Sequence, residues 1–410
     1  MYSIPVSAVK GRGTATRLAN RFDTNVRTAV DDGWSGGEAD EAGAAPNRSR
    51  TEVIWEDARS VIVRNASPDI HFDTSINPYR GCEHGCVYCY ARPTHSYLGM
   101  SPGLDFETRI VAKRNVAEIL RTELAHARYR PSSLVVGTVT DAYQPVEREL
   151  GLTRSVLELL AQTRHPFGVI TKSSGVERDL DLIAPMAALG LATVHVTITT
   201  LDAKLARVME PRASSPLRRL RTIRTLSEHG IPVGVSVAPQ IPFVNEDMEK
   251  VLEAAREAEA TRAFYTVLRL PWELDPIFRE WLSVHFPQRA NRVLARVREL
   301  HGRDEHGSGG DRLYDAQFGR RFTGQGNWAE LLRQRFSQLQ RADVPGDMFA
   351  CGRLVQAQIV QSLGDITTGV LAHQDQRVRR VLATQVVDRA SEQPQLGRFS
   401  TGVHSAHTSQ

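Results

Sequence analysis

The chain has 410 residues, of which 41% are hydrophobic and 24% are charged, a composition ordinary for one large globular domain with additions or for two domains. Its formal net charge of +4 is too small to indicate a general polyanion binder. It contains no apolar run long enough to span a bilayer, and its first residues lack the apolar centre of a signal peptide. We therefore expect no membrane segment and a cytoplasmic location.

The two ends of the chain are rich in small and polar residues. The stretch DDGWSGGEADEAGAAPNRSR cannot bury enough apolar surface to fold alone. We predict a disordered arm over residues 1–50 and a disordered tail over 391–410. Between them, we expect an α/β core over 51–290 and a mainly helical C-terminal extension over 291–390.

The core alternates between strand and helix patterns. Short runs rich in β-branched and apolar residues, typical of strands buried on both faces, are separated by segments with apolar residues at helical spacing. A weaker candidate for a first strand is DTSINPYR (73–80). The stronger runs are SSLVVGTVT (132–140), FGVITK (167–172), LATVHVTITT (191–200), IPVGVSVAP (231–239) and AFYTVLRL (263–270).

About six successive β-α units predict a parallel sheet with right-handed crossovers, hence either a barrel or a doubly wound sheet. The sequence has no GxGxxG at a strand end and no P-loop, and this favours an open or complete barrel. In barrels the chemistry takes place at the carboxyl ends of the strands.

Three of the four cysteines lie in one loop just after the first candidate strand. Within NPYRGCEHGCVYCYARPTHSYLG (77–99), Cys82, Cys86 and Cys89 are clustered and have too few partner cysteines elsewhere to form a disulfide framework. With His84 as a fourth ligand they could bind zinc, although structural zinc sites usually use two separated ligand pairs. Three thiolates from one loop suit a [4Fe–4S] cluster with one open iron better. Three unrelated core thiols are the remaining alternative.

The pattern CxxxCxYC, with Tyr88 before the third cysteine, resembles the signature of the radical SAM superfamily. The wider pattern RGCEHGCVYCYAR is similar to the spore photoproduct lyase branch and to the DNA-repair-photolyase-like proteins beside it. Further similar segments are GTVTDAYQPVE, VITKSS, TITTLD and VGVSVAP. The resemblance covers roughly residues 55–275.

This resemblance implies a fold and an activity. The fold is a partial (β/α)6 TIM-like barrel, with a [4Fe–4S] cluster on Cys82, Cys86 and Cys89 and S-adenosylmethionine on the fourth iron. The family cleaves this cofactor reductively to a 5′-deoxyadenosyl radical, which abstracts hydrogen from substrate. It also implies an external electron donor of flavodoxin or ferredoxin type. A nucleic-acid lesion or base is the substrate favoured by the branch, and a peptide or small metabolite stays open.

The resemblance places four residues at the adenine and methionine parts of the cofactor. Tyr88 occupies the position that lies against the adenine, although an aromatic side chain packed on the barrel rim would look the same in sequence. Thr138, Thr140 and Asp141 end the second strand, where family members bind the methionine amino group. Asp141 could instead cap a helix.

Four more residues follow from the fourth candidate strand and the segment after it. Thr197 and Thr199 alternate with apolar neighbours, and this pattern directs both toward one side of the sheet and the cofactor ribose. Glu210 and Arg219 match polar positions of the branch, with Arg219 on the following helix. A surface ion pair is the alternative for these two.

The sequence departs from the branch at the residue that donates a hydrogen atom to the product radical. In spore photoproduct lyase a cysteine near the end of the second strand donates a hydrogen atom to the product radical. The matching stretch here, VGTVTD (136–141), has no cysteine. Cys351 is the only other thiol, and a lone cysteine is more often a buried apolar residue. We therefore do not expect thymine-dimer repair by that mechanism.

The region after the barrel combines aromatic and Arg residues in DRLYDAQFGRRFTGQGNWAELLRQRF (311–336). This segment could bind single-stranded nucleic acid, but we favour a cap that closes the open side of the barrel. Residues 279–341 hold 12 Arg, 7 acidic residues and no Lys, a pattern typical of a solvated face with ion pairs. The rival to the enzyme is a zinc- or cluster-stabilised nucleic-acid-binding protein without catalysis.

Overall fold

The computed structural model describes residues 8–23, 50–70, 72–302 and 313–341. The predictions for the tail, for most of the C-terminal extension and for Cys351 lie outside these residues.

A seven-stranded sheet forms the centre of the fold, in the order β10-β9-β8-β7-β6-β3-β2. Strand β2 is antiparallel to β3, and each later neighbour pair is parallel. The strands are β2 (Ile62–Arg64), β3 (Thr74–Ile76), β6 (Leu134–Val136), β7 (Phe167–Thr171), β8 (Ala192–Thr197), β9 (Val233–Gln240) and β10 (Arg262–Val267). The six parallel strands stand in chain order, as predicted for a partial (β/α)6 barrel, and the α/β fold class is confirmed.

The first candidate strand, 73–80, divides into two strands of different sheets. Its first part is β3, and its second part is β4 (Tyr79–Arg80), which pairs with β5 (Arg109–Lys113) in a small sheet that also contains β1 (Glu52–Glu56). Pro78, which lacks an N–H to donate to a ladder, lies between the two parts. The chain therefore changes sheet immediately before the cysteine loop.

Helices connect the parallel strands and cover the outer face of the sheet. Among the described residues, no helix is long and apolar enough to cross a membrane. The helices are α1 (Leu104–Thr108), α2 (Val116–Ala125), α3 (Glu147–Leu150), α4 (Leu152–Gln162), α5 (Leu180–Ala188), α6 (Ala203–Met209), α7 (Pro216–Glu228), α8 (Met248–Glu257), α9 (Leu274–His285), α10 (Ala290–His301) and α11 (Gly326–Arg341), with 3₁₀ helices at Arg92–Leu98 and Ser174–Asp179.

The two faces of the sheet differ in composition, as β8 illustrates. Val194 and Val196 are fully buried in the apolar core beneath the helices. The alternate residues Thr193, His195 and Thr197 face a cavity inside the barrel. Because successive strand residues point to opposite faces, one strand serves both the core and the cavity.

Residues 313–326, here called the closing segment, connect the two edges of the open sheet. At the β10 edge, Val267 N–H donates to the Phe322 carbonyl at 2.9 Å. At the β2 edge, Gly319 N–H donates to Asp69 Oδ1 at 2.6 Å, and the Arg321 guanidinium lies 2.7 Å from Asp69 Oδ2. The predicted cap on the open side of the barrel is therefore confirmed for these residues.

Residues 8–23, here called the N-terminal strap, lie against the core. Gly13 N–H and Thr14 N–H donate to the Glu107 carboxylate at 2.9 and 3.1 Å, and the Ser101 hydroxyl donates to the Leu18 carbonyl at 2.7 Å. The prediction of a disordered arm is wrong for these residues. A polar, glycine-containing stretch buries little apolar surface, but here its backbone satisfies a buried carboxylate. Residues 24–49 lie outside the described part of the chain.

Candidate active site

A cavity of about 1130 Å³ occupies the inside of the open barrel. Its wall includes the cysteine loop, the carboxyl ends of the strands and the closing segment. Its volume is slightly above the range of about 300–1,000 Å³ that is typical of small-molecule sites. The cavity therefore has room for more than one small ligand.

The three cysteines of the loop all open on this cavity. Cys82 and Cys86 are buried with 7% of their surface exposed, and Cys89 is half-buried. The loop is tied to its neighbours by backbone hydrogen bonds from Cys82 N–H to the Phe106 carbonyl at 2.8 Å and from Val87 N–H to the Met209 carbonyl at 3.0 Å. The fold thus brings the three thiols to one cavity.

A buried ion pair supports the cysteine loop from behind. The Arg92 guanidinium donates to the carbonyls of Cys86 at 2.9 Å and Gly85 at 3.0 Å, and to Glu107 Oε1 at 2.6 Å. Both side chains of the pair are 0% exposed. The N-terminal strap covers them so closely that a Cβ at Gly13 would lie 1.7 Å from the Gly85 carbonyl oxygen. The loop backbone is therefore fixed before any ligand binds.

The buried surroundings of Cys82 and Cys86 favour the protonated thiols, whereas a bound metal would favour the thiolates. Burial raises the pKa of Cys86 to about 12 and raises that of Cys82 as well, with further contributions from neighbouring negative groups. Thiols become metal ligands as thiolates, so metal binding at this loop must release protons. Within the described ranges, no three His, Cys, Asp or Glu side chains are grouped to hold a single metal ion. A cluster does not need that grouping, since its cysteines bind different irons.

The end of the second parallel strand contributes three polar residues to the same cavity: Thr138, Thr140 and Asp141. The Thr140 hydroxyl is buried and has no hydrogen-bond partner among the described residues. A buried polar atom without a partner costs free energy, so this hydroxyl has capacity for a ligand. The Thr138 hydroxyl accepts a hydrogen bond from Asn77 Nδ2 at 3.1 Å.

Asp141 already has several protein partners. Its carboxylate accepts from the Thr171 hydroxyl at 2.7 Å, from Lys172 N–H at 2.7 Å and from Tyr143 N–H at 2.9 Å, and it lies 3.2 Å from His84 Nδ1. Burial alone would raise the pKa of Asp141, but His84 and the hydrogen bonds hold it below its usual range. The residue thus ties the cysteine loop to the ends of two strands. It is not the N-cap of α3, which is Val146.

Glu210 and Arg219 form a buried pair, and the alternative of a surface ion pair is wrong. Their side chains are 0% and 1% exposed. The Glu210 carboxylate also accepts from the Tyr88 hydroxyl and, at 2.6 Å, from Thr199. Arg219 Nη1 donates to the Thr197 carbonyl at 2.9 Å. The pair therefore links the tyrosine of the cysteine motif to the carboxyl end of β8.

The two threonines of the fourth parallel strand differ in place. Thr197 is the last residue of β8 and lines the cavity, as predicted. Thr199 lies beyond the strand, because β8 ends at Thr197, and its hydroxyl is directed to Glu210 instead. The predicted alternation over both residues is wrong for Thr199. Tyr88 is buried, lines the cavity and also packs among apolar side chains of the rim.

His195 and Arg269 are among the cavity residues that the sequence analysis missed. His195 faces the cavity two positions before Thr197, and burial, helped by Arg262, lowers the pKa of its imidazole to about 4. Extending the alternation of Thr197 back along the strand would have found it. Arg269 lies two residues past the end of β10 and also lines the cavity. Its only signal was a charged residue after a buried strand.

Comparisons with known proteins found relatives of similar sequence. An uncharacterized protein of Mycobacterium tuberculosis is 34% identical over 255 residues, which cover 62% of this chain and 73% of that protein. An uncharacterized protein of Methanocaldococcus jannaschii is 27% identical over 240 residues, 58% of this chain and 86% of that protein.

A solved structure shares the fold. A mutant of spore photoproduct lyase superposes with a TM-score of 0.50 at 16% identity, covering 73% of this chain and 82% of that chain. The family model of the Radical SAM superfamily matches residues 76–255, which span the cysteine loop and the parallel strands up to β9. The chain belongs to the radical SAM superfamily.

Proposed function

We propose that this protein is a radical SAM enzyme that abstracts hydrogen from a substrate held in the barrel cavity. Its cofactors, a [4Fe–4S] cluster and S-adenosylmethionine, are those of the superfamily. Cys82, Cys86 and Cys89 would hold the cluster. When bound, the reduced cluster supplies the electron that cleaves S-adenosylmethionine to methionine and a 5′-deoxyadenosyl radical.

The observation that carries this proposal is the convergence of two independent features on one cavity. The cysteines supply three soft thiolate ligands, and the carboxyl end of the second strand supplies Thr140 with an unpartnered buried hydroxyl. The sequence separates these features by some fifty positions, and the parallel barrel places both at the same wall of the cavity.

The chain's own residues have defined tasks in this scheme. Thr138, Thr140 and Asp141 would position the amino acid part of S-adenosylmethionine, and Thr197 the ribose. Tyr88, held by Glu210, would pack against the adenine and keep water from that side of the site. Thr199 and Arg219 act through Glu210 as positioning residues. Superfamily members need an electron donor, and a flavodoxin or ferredoxin is our proposal for it.

The substrate stays a separate question. Within the described residues the cysteines of the cavity are Cys82, Cys86 and Cys89, all assigned here to the cluster. A hydrogen donor placed as in spore photoproduct lyase is therefore not part of this proposal. A nucleic-acid lesion or base remains a candidate from the sequence resemblance alone.

The test is product formation by the full chain. The protein is reconstituted anaerobically with iron and sulfide, reduced with dithionite and given S-adenosylmethionine, and 5′-deoxyadenosine and methionine are quantified. We expect both products from the wild type and from Cys351→Ala, the matched control that removes the fourth cysteine. We expect neither from Cys86→Ala, because a cluster on two cysteines is not retained in the site.

The rival functions give different results. A zinc-stabilised binding protein would copurify with zinc and form no product from any variant. A binding protein with a purely structural cluster would hold iron and sulfide in the wild type but leave S-adenosylmethionine intact. Equal product from Cys86→Ala and the wild type would contradict the assignment of the cluster ligands.

A further inference from the structure

Arg269 lines the cavity two residues beyond the end of β10. Its guanidinium lies between two rings, with its carbon 5.1 Å from the centroid of Tyr90 and 4.3 Å from that of Phe322. Tyr90 follows the last cysteine of the loop, and Phe322 belongs to the closing segment. The arginine therefore lies where the cysteine loop and the closing segment approach each other.

The stacking fixes the guanidinium but leaves its hydrogen-bond donors unused. Aromatic rings contact the faces of the planar group, whereas its N–H bonds point outward in the plane. Throughout the described residues, Arg269 has neither a hydrogen bond nor an ion pair to another side chain or to the backbone. The side chain is half-buried and lines the cavity, so these donors are accessible to a ligand there.

The other arginines of the cavity wall do not share this condition. Arg321 is paired with Asp69, and Arg333 with Glu330, each at 2.7 Å. Arg320 lies 3.9 Å from Asp315. Burial lowers the pKa of Arg269, and the nearby Tyr90 and Tyr314 oppose this shift. Unlike its neighbours, Arg269 has no ion-pair partner among the described residues, and a ligand anion would supply one.

We propose that Arg269, clamped between Tyr90 and Phe322, is the subsite that binds an oxyanion of the substrate, a phosphoryl or a carboxylate group. The inference rests on the proposed function, since it takes this cavity as the substrate site. A guanidinium fork matches either oxyanion through two parallel hydrogen bonds. Because Tyr90 adjoins Cys89 in sequence, an anion held here would place the rest of the substrate next to the cofactor end.

Chemical protection of Arg269 in the wild-type protein tests the subsite without any substitution. The full-length, cluster-reconstituted protein is treated with phenylglyoxal in chloride, in inorganic phosphate or in acetate at one ionic strength, and labelling of each arginine is read by peptide mass spectrometry. We expect labelling of Arg269 to slow about threefold once the anion exceeds its dissociation constant twofold. The exposed Arg256 on α8 should be labelled equally in all three salts.

The two anions distinguish the substrate group. Protection by phosphate alone identifies a phosphoryl group, and protection by acetate alone identifies a carboxylate. Isothermal titration with the protecting anion should give binding heat for the wild type and Arg256→Met, a reduced heat for Arg269→Lys and none for Arg269→Met. Labelling of Arg269 at one rate in all three salts would overturn the inference.

Failure of the subsite is distinguishable from failure of the proposed function. Arg269→Met should keep the [4Fe–4S]⁺ electron paramagnetic resonance signal and its change on adding S-adenosylmethionine, because the arginine serves substrate only. An unprotected Arg269 in a protein with that response removes the subsite and leaves the enzyme. If the cluster response is missing from the wild type, the proposed function itself fails.

Discussion

Two parts of the cavity wall, the cysteine loop (here the cysteine-loop end) and the closing segment (here the closing end), are held in different ways. At the cysteine loop, two fully buried ion pairs form within the chain, Arg92 with Glu107 and Glu210 with Arg219. At the closing segment, the connection to the β2 edge rests on Asp69 and Arg321, which are 11% and 14% exposed. Arg269 there has no polar partner in the described part of the chain. The first end is held by buried ion pairs, and at the second end the donors of Arg269 are open to a ligand.

This difference indicates a division of tasks. A cofactor that is the same in every turnover favours a preorganised site. The conformational entropy of the side chains that bind it is then lost during folding and not on binding. A substrate that enters and leaves favours a wall with open donors and a segment that can move locally. We therefore expect substitutions at the cysteine-loop end to affect global stability, and substitutions at the closing end to affect local opening.

The largest expected effect follows from breaking the buried pair behind the cysteine loop. Arg92→Met leaves the Glu107 carboxylate buried without its cation and removes the support of the loop carbonyls, and this should lower the free energy of unfolding by about 3–5 kcal/mol. Denaturant unfolding measures the loss. Arg224→Met breaks an exposed pair with Glu259 and should cost about 1 kcal/mol or less. Equal losses in the two variants would contradict a preorganised cofactor end.

An intermediate effect comes from His165, a buried histidine just before β7. Burial lowers the pKa of His165 to about 4, below the value of about 6.5 expected in the unfolded chain. Between those values the unfolded state binds more protons, so this stabilisation is complete above about pH 6.5 and is lost as pH falls toward 4.

Urea unfolding at about pH 7 and about pH 4 measures this loss. For one histidine with that difference in pKa the loss is about 3 kcal/mol. His165→Gln should lose about that much less than the wild type between the two pH values. An identical pH dependence in both proteins would show that His165 is not held neutral in the folded state.

The smallest expected effect is local and lies at the closing segment. Asp69→Asn removes the charge that pairs with Arg321 but keeps an acceptor for Gly319 N–H. Amide hydrogen exchange in peptides from 313–326 should become roughly tenfold faster, a change of about 1.4 kcal/mol in opening. Peptides from the cysteine loop should exchange at the wild-type rate. Equal acceleration at both ends would remove the distinction between them.

Much of the barrel could be predicted from sequence because its signals are local. Runs such as LATVHVTITT combine β-branched residues with a length suited to strands, and the structure contains β8 there. The cysteine loop was equally visible, since three thiols within eight positions have few explanations. Its position at the cavity then followed from the barrel itself.

The rest depends on partners far apart in the chain. No sequence pattern near Arg92 predicts that its side chain is buried. Arginine is usually exposed, and the partner Glu107 is fifteen residues away in the chain. The N-terminal strap is held by backbone N–H groups that donate to Glu107. Such contacts need no apolar periodicity, so the sequence of the strap gives no sign of them. The free donors of Arg269 are likewise a property of its surroundings, and no sequence pattern distinguishes it from the paired Arg321.

The most direct test of the central claim is electron paramagnetic resonance of the dithionite-reduced, reconstituted protein with and without S-adenosylmethionine. We predict a [4Fe–4S]⁺ signal that changes when the cofactor is added and is absent from Cys86→Ala. Such a change requires an iron of the cluster that is open to the cofactor. A signal that S-adenosylmethionine leaves unchanged, or zinc bound in place of iron, would contradict the account.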